Sequence, residues 1–255
     1  MRRRYLLLLL LAAGRSVPAF ADRRELRVGL ETASPPFAYI DNAGEFAGFN
    51  ADLSRALCSR MDVTCTFVPS RIPDFAQKLQ SRAVDFVPTL SITEARKKVA
   101  DFTKPFYVAP NRFVVRRGST LEISPSGLAG KKVGVRRGTV QDRFVSAMYP
   151  AAKIQRYADL SELYIDLALG RLDTVLTEEV ASRVQFLDVE LGRDFTLTGP
   201  RFADPAWFGD GIGIAVRKGD DALRNDLDAA LQQIRSDGTF DAIRRRYFSF
   251  QLEQS

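Results

Sequence analysis

The strongest constraint on this chain is an alternation of strands and helices that restarts halfway along. Short apolar strand patterns and helix-spaced segments take turns through most of its 255 residues. Two of these units are near copies. "LQSRAVDFVPT" (residues 79–89) and "LALGRLDTVLT" (residues 167–177) both read Leu, four residues, an aliphatic, Asp, any, Val, any, Thr. Each unit reads as a helix end, a turn and a buried strand. Alternation of this kind specifies an α/β protein with mostly parallel strands. The restart suits two similar lobes in a chain long enough for one large domain or two small cores; a chance likeness of two ordinary helix–strand units is the alternative.

The first half runs through "LRVGL" as a strand and "NADLSRALCSRM" as a helix with Asn50 as its cap. "CTFVPS" is a strand, "DFAQKLQSR" a short helix, "VDFVPT" a strand and "TEARKKV" a helix starting at Thr93. In the second half "KKVGVRRGT", "KIQRYA" and "LDTVLT" read as strands. "VQDRFVSAMY" and "SELYIDLALG", the latter ended by Gly170, read as the helices between them. Two closing helices turn at Gly238. The expected lobes are 22–108 plus 214–255, and 113–208. Their crossings fall at 109–112 and 209–213, where the Gly-rich "FGDGIGI" suits a chain that must bend.

Residues 1–21 read as a signal peptide. "MRRRY" is the basic start, "LLLLLLAA" the apolar run and "AFA" the cleavage site. The apolar run is too short for a stable anchor, so the expected mature chain begins near Asp22 and is periplasmic. The net charge of +6 belongs largely to this leader. Without Arg2, Arg3, Arg4 and Arg15, 33 basic side chains face 31 acidic ones, a balance that argues against a nucleic-acid surface. Export also bears on Cys58 and Cys65. In an oxidising compartment an isolated close pair reads as a disulfide, stapling a helix end to the next strand; two buried free thiols are the alternative. With two Cys and no His, no metal site is expected.

In open α/β sheets ligands bind beyond the carboxyl ends of strands. Two such ends facing each other make a cleft, with Thr89, Ser91 and Arg96 on one wall and Thr177 and Glu178 on the other. The Arg96 guanidinium suits a carboxylate, helped by free N–H groups at a helix start. Glu178 can only accept hydrogen bonds and suits an ammonium. Together they describe an α-amino acid. On spacing alone, both also read as surface charges.

The mature chain resembles the periplasmic amino-acid-binding proteins of ABC importers, solute-binding protein family 3, and among them the lysine/arginine/ornithine- and histidine-binding group. The resemblance spans roughly residues 26–250. It rests on the collinear set "GEFAGFNADL", "LCSRMDVTCTFV", "LSITEAR", "GKKVGVRRGT", "LGRLDTVLTEE", "FGDGIGIAVRKGD" and "RSDGTFDAIRRRYFSF". It implies a two-lobed type II clamshell closing on one amino acid, without a cofactor, as a monomer that meets an inner-membrane ABC permease. It implies Arg96 and Ser91 at the ligand carboxylate, Glu178 at the amine, Glu31 at a cationic side chain, and a Cys58–Cys65 bridge.

The departures fall in the side-chain pocket. The family's aromatic platform corresponds to Ser34 and a second aromatic wall to Ile72. Pro88 and Thr89 replace a serine-rich strand end. A hydroxyl expected after Thr139 becomes Val140, and the amine-binding acid is Glu178 where Asp is usual. A polar or basic amino acid remains the expected ligand, with Lys or Arg favoured by Glu31. Other classes on the same fold are a dehydratase-like periplasmic enzyme, with Glu178 as acid or base, and a ligand sensor.

Overall fold

The computed structural model describes residues 24–253; the expected leader at 1–21 lies outside them. Thirteen strands are present among the described residues: β1 (Glu25–Leu30), β2 (Ala33–Ser34), β3 (Ala38–Ile40), β4 (Phe46–Ala47), β5 (Thr64–Pro69), β6 (Phe86–Ser91), β7 (Ala100–Phe102), β8 (Asn111–Arg116), β9 (Lys132–Arg136), β10 (Lys153–Tyr157), β11 (Thr174–Glu178), β12 (Phe195–Phe202) and β13 (Ile212–Arg217). They form two five-stranded sheets, ordered β5-β1-β6-β13-β7 and β10-β9-β11-β8-β12, and a small ribbon β2-β3-β4.

The two large sheets are built alike. In the first, β1 runs parallel to β5 and β6, and β13 returns antiparallel to β6. In the second, β9 runs parallel to β10 and β11, and β8 lies antiparallel to β11. The near-copied segments occupy equivalent places. Asp85 accepts the Arg27 N–H at 2.8 Å while its own N–H donates to the Arg27 carbonyl at 2.7 Å. Asp173 does the same with Lys132, at 2.7 and 2.9 Å. Each Asp therefore locks the start of its sheet's central strand, β6 or β11, to the neighbouring parallel strand, β1 or β9.

The chain passes between sheets after β7 and again after β12. Asn111 already pairs with Glu178, and Ile212 with Ser91. The crossings expected at 109–112 and 209–213 thus overlap the first residues of β8 and β13.

Each sheet carries its own helices because their apolar stripes have no other place to go. Phe49, Leu53 and Leu57, from the helix Phe49–Arg60, are fully buried against Leu26, Val28 and Leu30 of β1. Burial stabilises by about 1.5–3 kcal/mol for each such side chain. Leu227, Leu231 and Ile234 of the helix Asp221–Ser236 join the same core, so the C-terminal helices belong with the first sheet. In the second sheet Phe113, Val133 and Val135 pack against Phe144 and Val145 of the helix Val140–Met148. Cys58 and Cys65 are disulfide-bonded, with Cα atoms 5.9 Å apart, tying the helix Phe49–Arg60 to β5. No helix among the described residues is long and apolar enough to cross a membrane.

Two local expectations are corrected. Asn50 is not a helix cap. That place is taken by Gly48 at φ 106°, and Asn50 lies inside the helix. The first helical N–H groups, of Phe49 and Asn50, bond instead to the carbonyls of Pro36 and Phe37 at 2.9 and 2.8 Å. The helix after Thr93 is only Glu94–Lys97, because the chain turns directly into β7. The Thr93 hydroxyl caps it by accepting from the Arg96 N–H at 3.3 Å. So short and capped a turn supplies no open anion site from its backbone, and the anion chemistry rests on the Arg96 side chain.

Candidate functional site

The carboxyl ends of the parallel strands of both sheets face one cavity. Glu31, Ser34, Ile72, Thr89, Ser91, Arg96, Thr139, Val140 and Glu178 all line it, so the expected site residues are brought together. Thr177 lines it too. So do Asn50, Tyr107, Arg136 and Gln141, which the sequence did not single out as site residues.

On the first wall, β6 delivers Thr89 and Ser91. Its pairing with β13 slips between Val87 and Leu90, where Pro88 and Thr89 add an extra residue to β6. Proline has no N–H for a ladder, so the bulge forms where the sequence cannot pair. Just beyond, Arg96 turns back toward the strand end. Its Nη1 donates to the Ser91 carbonyl at 3.0 Å, and its guanidinium stands 5.7 Å from the centre of the Phe75 ring. No carboxylate among the described residues pairs with it. Burial, with a smaller contribution from Arg143, lowers its pKa to about 10. The adjacent Lys97 is held differently, by Asp210 at 2.6 Å and Glu94 at 2.8 Å.

The second wall repeats this contrast with the opposite sign. Glu179 is bound by Arg183 at 3.1 Å and Arg201 at 3.0 Å. Its neighbour Glu178, the last residue of β11, has a buried Oε1 with no hydrogen-bond partner among the described residues. Burial alone pushes the Glu178 pKa up to about 7. The same burial, together with the nearby Glu178, raises the Tyr107 hydroxyl well above its ordinary value. Thr177 is occupied: it bonds Ser182 at 2.5 Å and accepts from the Tyr164 hydroxyl at 3.2 Å.

Isolated charges in low dielectric are destabilising, and the shifts of Arg96 and Glu178 each correspond to about 3 kcal/mol. A cation and a carboxyl on facing walls, each without a counter-ion among the described residues, suit a molecule that carries both opposite charges. A zwitterionic α-amino acid has that form.

The remaining polar groups lie around these two charges. Glu31, just beyond β1, forms an ion pair with Arg136, the last residue of β9, across the cleft. Gln185 spans the walls as well, donating to the Pro35 carbonyl at 2.6 Å and to the Ser34 hydroxyl at 3.3 Å. Thr139 caps the helix Val140–Met148 and donates to the Arg136 carbonyl at 2.7 Å. Val140 begins that helix, and Ile72 offers an aliphatic face. Gln141 is anchored on Asn111 at 2.5 Å. Arg136 carries a signal in the sequence, because it ends the strand of the second half that corresponds to β1, the strand leading to Glu31. Asn50 is hidden by its plausibility as a cap.

Fold and site together define a type II solute-binding clamshell. Residues 26–250 match the family of bacterial extracellular solute-binding proteins, family 3, and the chain belongs to that family. It is 38% identical to the L-arginine-binding protein of Pseudomonas aeruginosa over 93% of both chains. It is 35% identical to the lysine/arginine/ornithine-binding periplasmic protein of Escherichia coli, covering 89% of this chain and 88% of that one. Among solved structures it is similar to an ancestral arginine-binding protein bound to arginine, with a TM-score of 0.78 and 32% identity over 89% of this chain and all of that one. The ancestral arginine-binding protein bound to glutamine gives a TM-score of 0.77 at 32% identity, covering 89% of this chain and 99% of that one.

Proposed function

We propose that the protein captures a single α-amino acid with a polar or basic side chain between its lobes and delivers it to an inner-membrane ABC permease. One observation carries this reading: Arg96 and Glu178 face the same cavity, both desolvated and both without a counter-ion among the described residues. Arg96 and Ser91 hold the ligand carboxylate, and Glu178 holds its ammonium. The lobes are 22–108 with 214–255, and 113–208, and they close about the crossings near 109–112 and 209–213. The protein acts as a binder without turnover, as a monomer, after export to the periplasm and removal of residues 1–21.

A thermal-shift screen of the mature protein against the proteinogenic amino acids, ornithine and citrulline tests this. A true ligand at a hundred times its Kd stabilises by about 2.7 kcal/mol, a readily measured rise in Tm. A flat screen overturns the reading. Incubation of the hit with excess protein, followed by chromatography, must return it unchanged.

A further inference from the structure

The geometry points to Arg136 as the residue that sets ligand preference, by holding Glu31 so that the site favours an α-amino acid with a neutral amide or ureido side chain over one with a cationic side chain. This rests on the amino-acid reading above and narrows it.

Four charged residues line the cavity: Arg96, Arg136, Glu31 and Glu178. Arg96 and Glu178 have no counter-ion among the described residues and await the ligand's backbone charges. Glu31 and Arg136 are already matched with one another. A ligand that is neutral overall therefore leaves every charge in the cavity paired. A ligand with a further positive charge leaves one cation over.

Displacing Arg136 does not resolve that excess. Its side chain is only 17% exposed, and that of Glu31 24%. Arg136 is also held from behind, where its Nε donates to the Ala158 carbonyl at 3.3 Å. A cationic side chain that took Glu31 would leave a part-buried guanidinium with no carboxylate, and breaking such a pair from one side is unfavourable.

The paired groups still have chemistry to offer. A carboxylate has lone pairs beyond those a single guanidinium uses, and a guanidinium has five N–H donors. Beside them the Asn50 Oδ1 is buried, lines the same cavity and has no hydrogen-bond partner among the described residues. A planar amide or ureido group matches this arrangement. Its carbonyl accepts from Arg136, and its N–H groups donate to Glu31 and Asn50. Ser34 and Ile72 offer no aromatic face to a guanidinium at their places in the wall; the rings that line the cavity are those of Phe37 and Tyr107.

Citrulline and arginine test the idea directly, since they share length and shape and differ in the charge of the distal group. Calorimetry on the mature wild-type protein should show citrulline binding at least tenfold more tightly than arginine, and glutamine more tightly than lysine. Arg136→Met should free Glu31 and reverse the citrulline–arginine order. Glu31→Gln, approaching the pair from its other side, should free Arg136 and admit glutamate. Arginine binding to the wild type as tightly as citrulline overturns the inference and leaves the amino-acid reading standing. Binding of none of these ligands overturns the amino-acid reading, and the inference with it.

Discussion

Arg96 and Glu178 confront one cavity from opposite sheets, and neither has a counter-ion among the described residues, although Lys97 and Glu179 beside them are fully paired. Neighbours of like charge thus have opposite fates. One of each pair is fixed to the scaffold, and the other faces the cavity.

Truncating Arg96 should therefore remove the carboxylate fork without disturbing a structural ion pair. Arg96→Ala should weaken the hit from the ligand screen by roughly 2–5 kcal/mol. Arg96→Lys should restore only part, because an ammonium cannot form the planar two-bond match. Calorimetry decides, and Arg96→Ala binding within about threefold of wild type, under roughly 0.7 kcal/mol, would remove Arg96 from the site.

Binding should be proton-linked through Glu178. Its pKa in the empty protein is raised to about 7 by burial, and an ammonium partner stabilises the ionised form. Ligand binding below pH 7 must then release a proton. Affinity should fall by up to about tenfold for each unit below pH 7 and level off above it. Titrations at pH 6 in buffers of different ionisation enthalpy should detect that proton. In Glu178→Gln, binding should be weak and this pH dependence absent.

The same residue should make the empty protein less stable as pH rises. A carboxyl whose folded pKa lies above its unfolded value binds more protons when folded, so stability declines from the unfolded value of 4.5 through about pH 7. The full effect is about 3 kcal/mol. Glu178→Gln should accordingly raise the Tm of the ligand-free protein at pH 8 and much less at pH 4. An equal shift at both values would contradict it.

Gly48 should tolerate no side chain. At φ 106° an added Cβ would stand 2.6 Å from the Phe37 carbonyl oxygen, the acceptor of the Asn50 N–H. Gly48→Ala should cost about 1–3 kcal/mol in denaturant unfolding. It should also weaken ligand binding by shifting Asn50 in the cavity wall. Unchanged unfolding would show that the loop yields easily.

The Cys58–Cys65 bridge should leave no titratable thiol in the unfolded, unreduced protein. Closing so short a loop is worth about 2–3 kcal/mol in the chain-entropy model, so reductant should lower the Tm. Two reactive thiols in exported material would refute the pairing.

The local sequence determined a good deal. Period-two strands and helix-spaced stripes specify the alternation, and the shared Leu, Asp, Val and Thr of residues 79–89 and 167–177 mark equivalent corners of two sheets, where Asp85 and Asp173 make the same reciprocal bonds. Strand ends are local features, so the sequence pattern alone places Thr89, Ser91 and Glu178 at a cleft. What lies across the cleft is not local. Glu31 and Arg136 are 105 residues apart in sequence, and only the approach of the two sheets makes them an ion pair. Likewise, no spacing rule distinguishes Arg96 from Lys97 or Glu178 from Glu179. Whether a charge is paired, buried or left for a ligand depends on which groups the tertiary fold brings within a few ångströms. Asn50 makes the same point: its type suits a helix cap, but the close approach of the Pro36 and Phe37 carbonyls gives that place to glycine and puts the amide in the cavity wall.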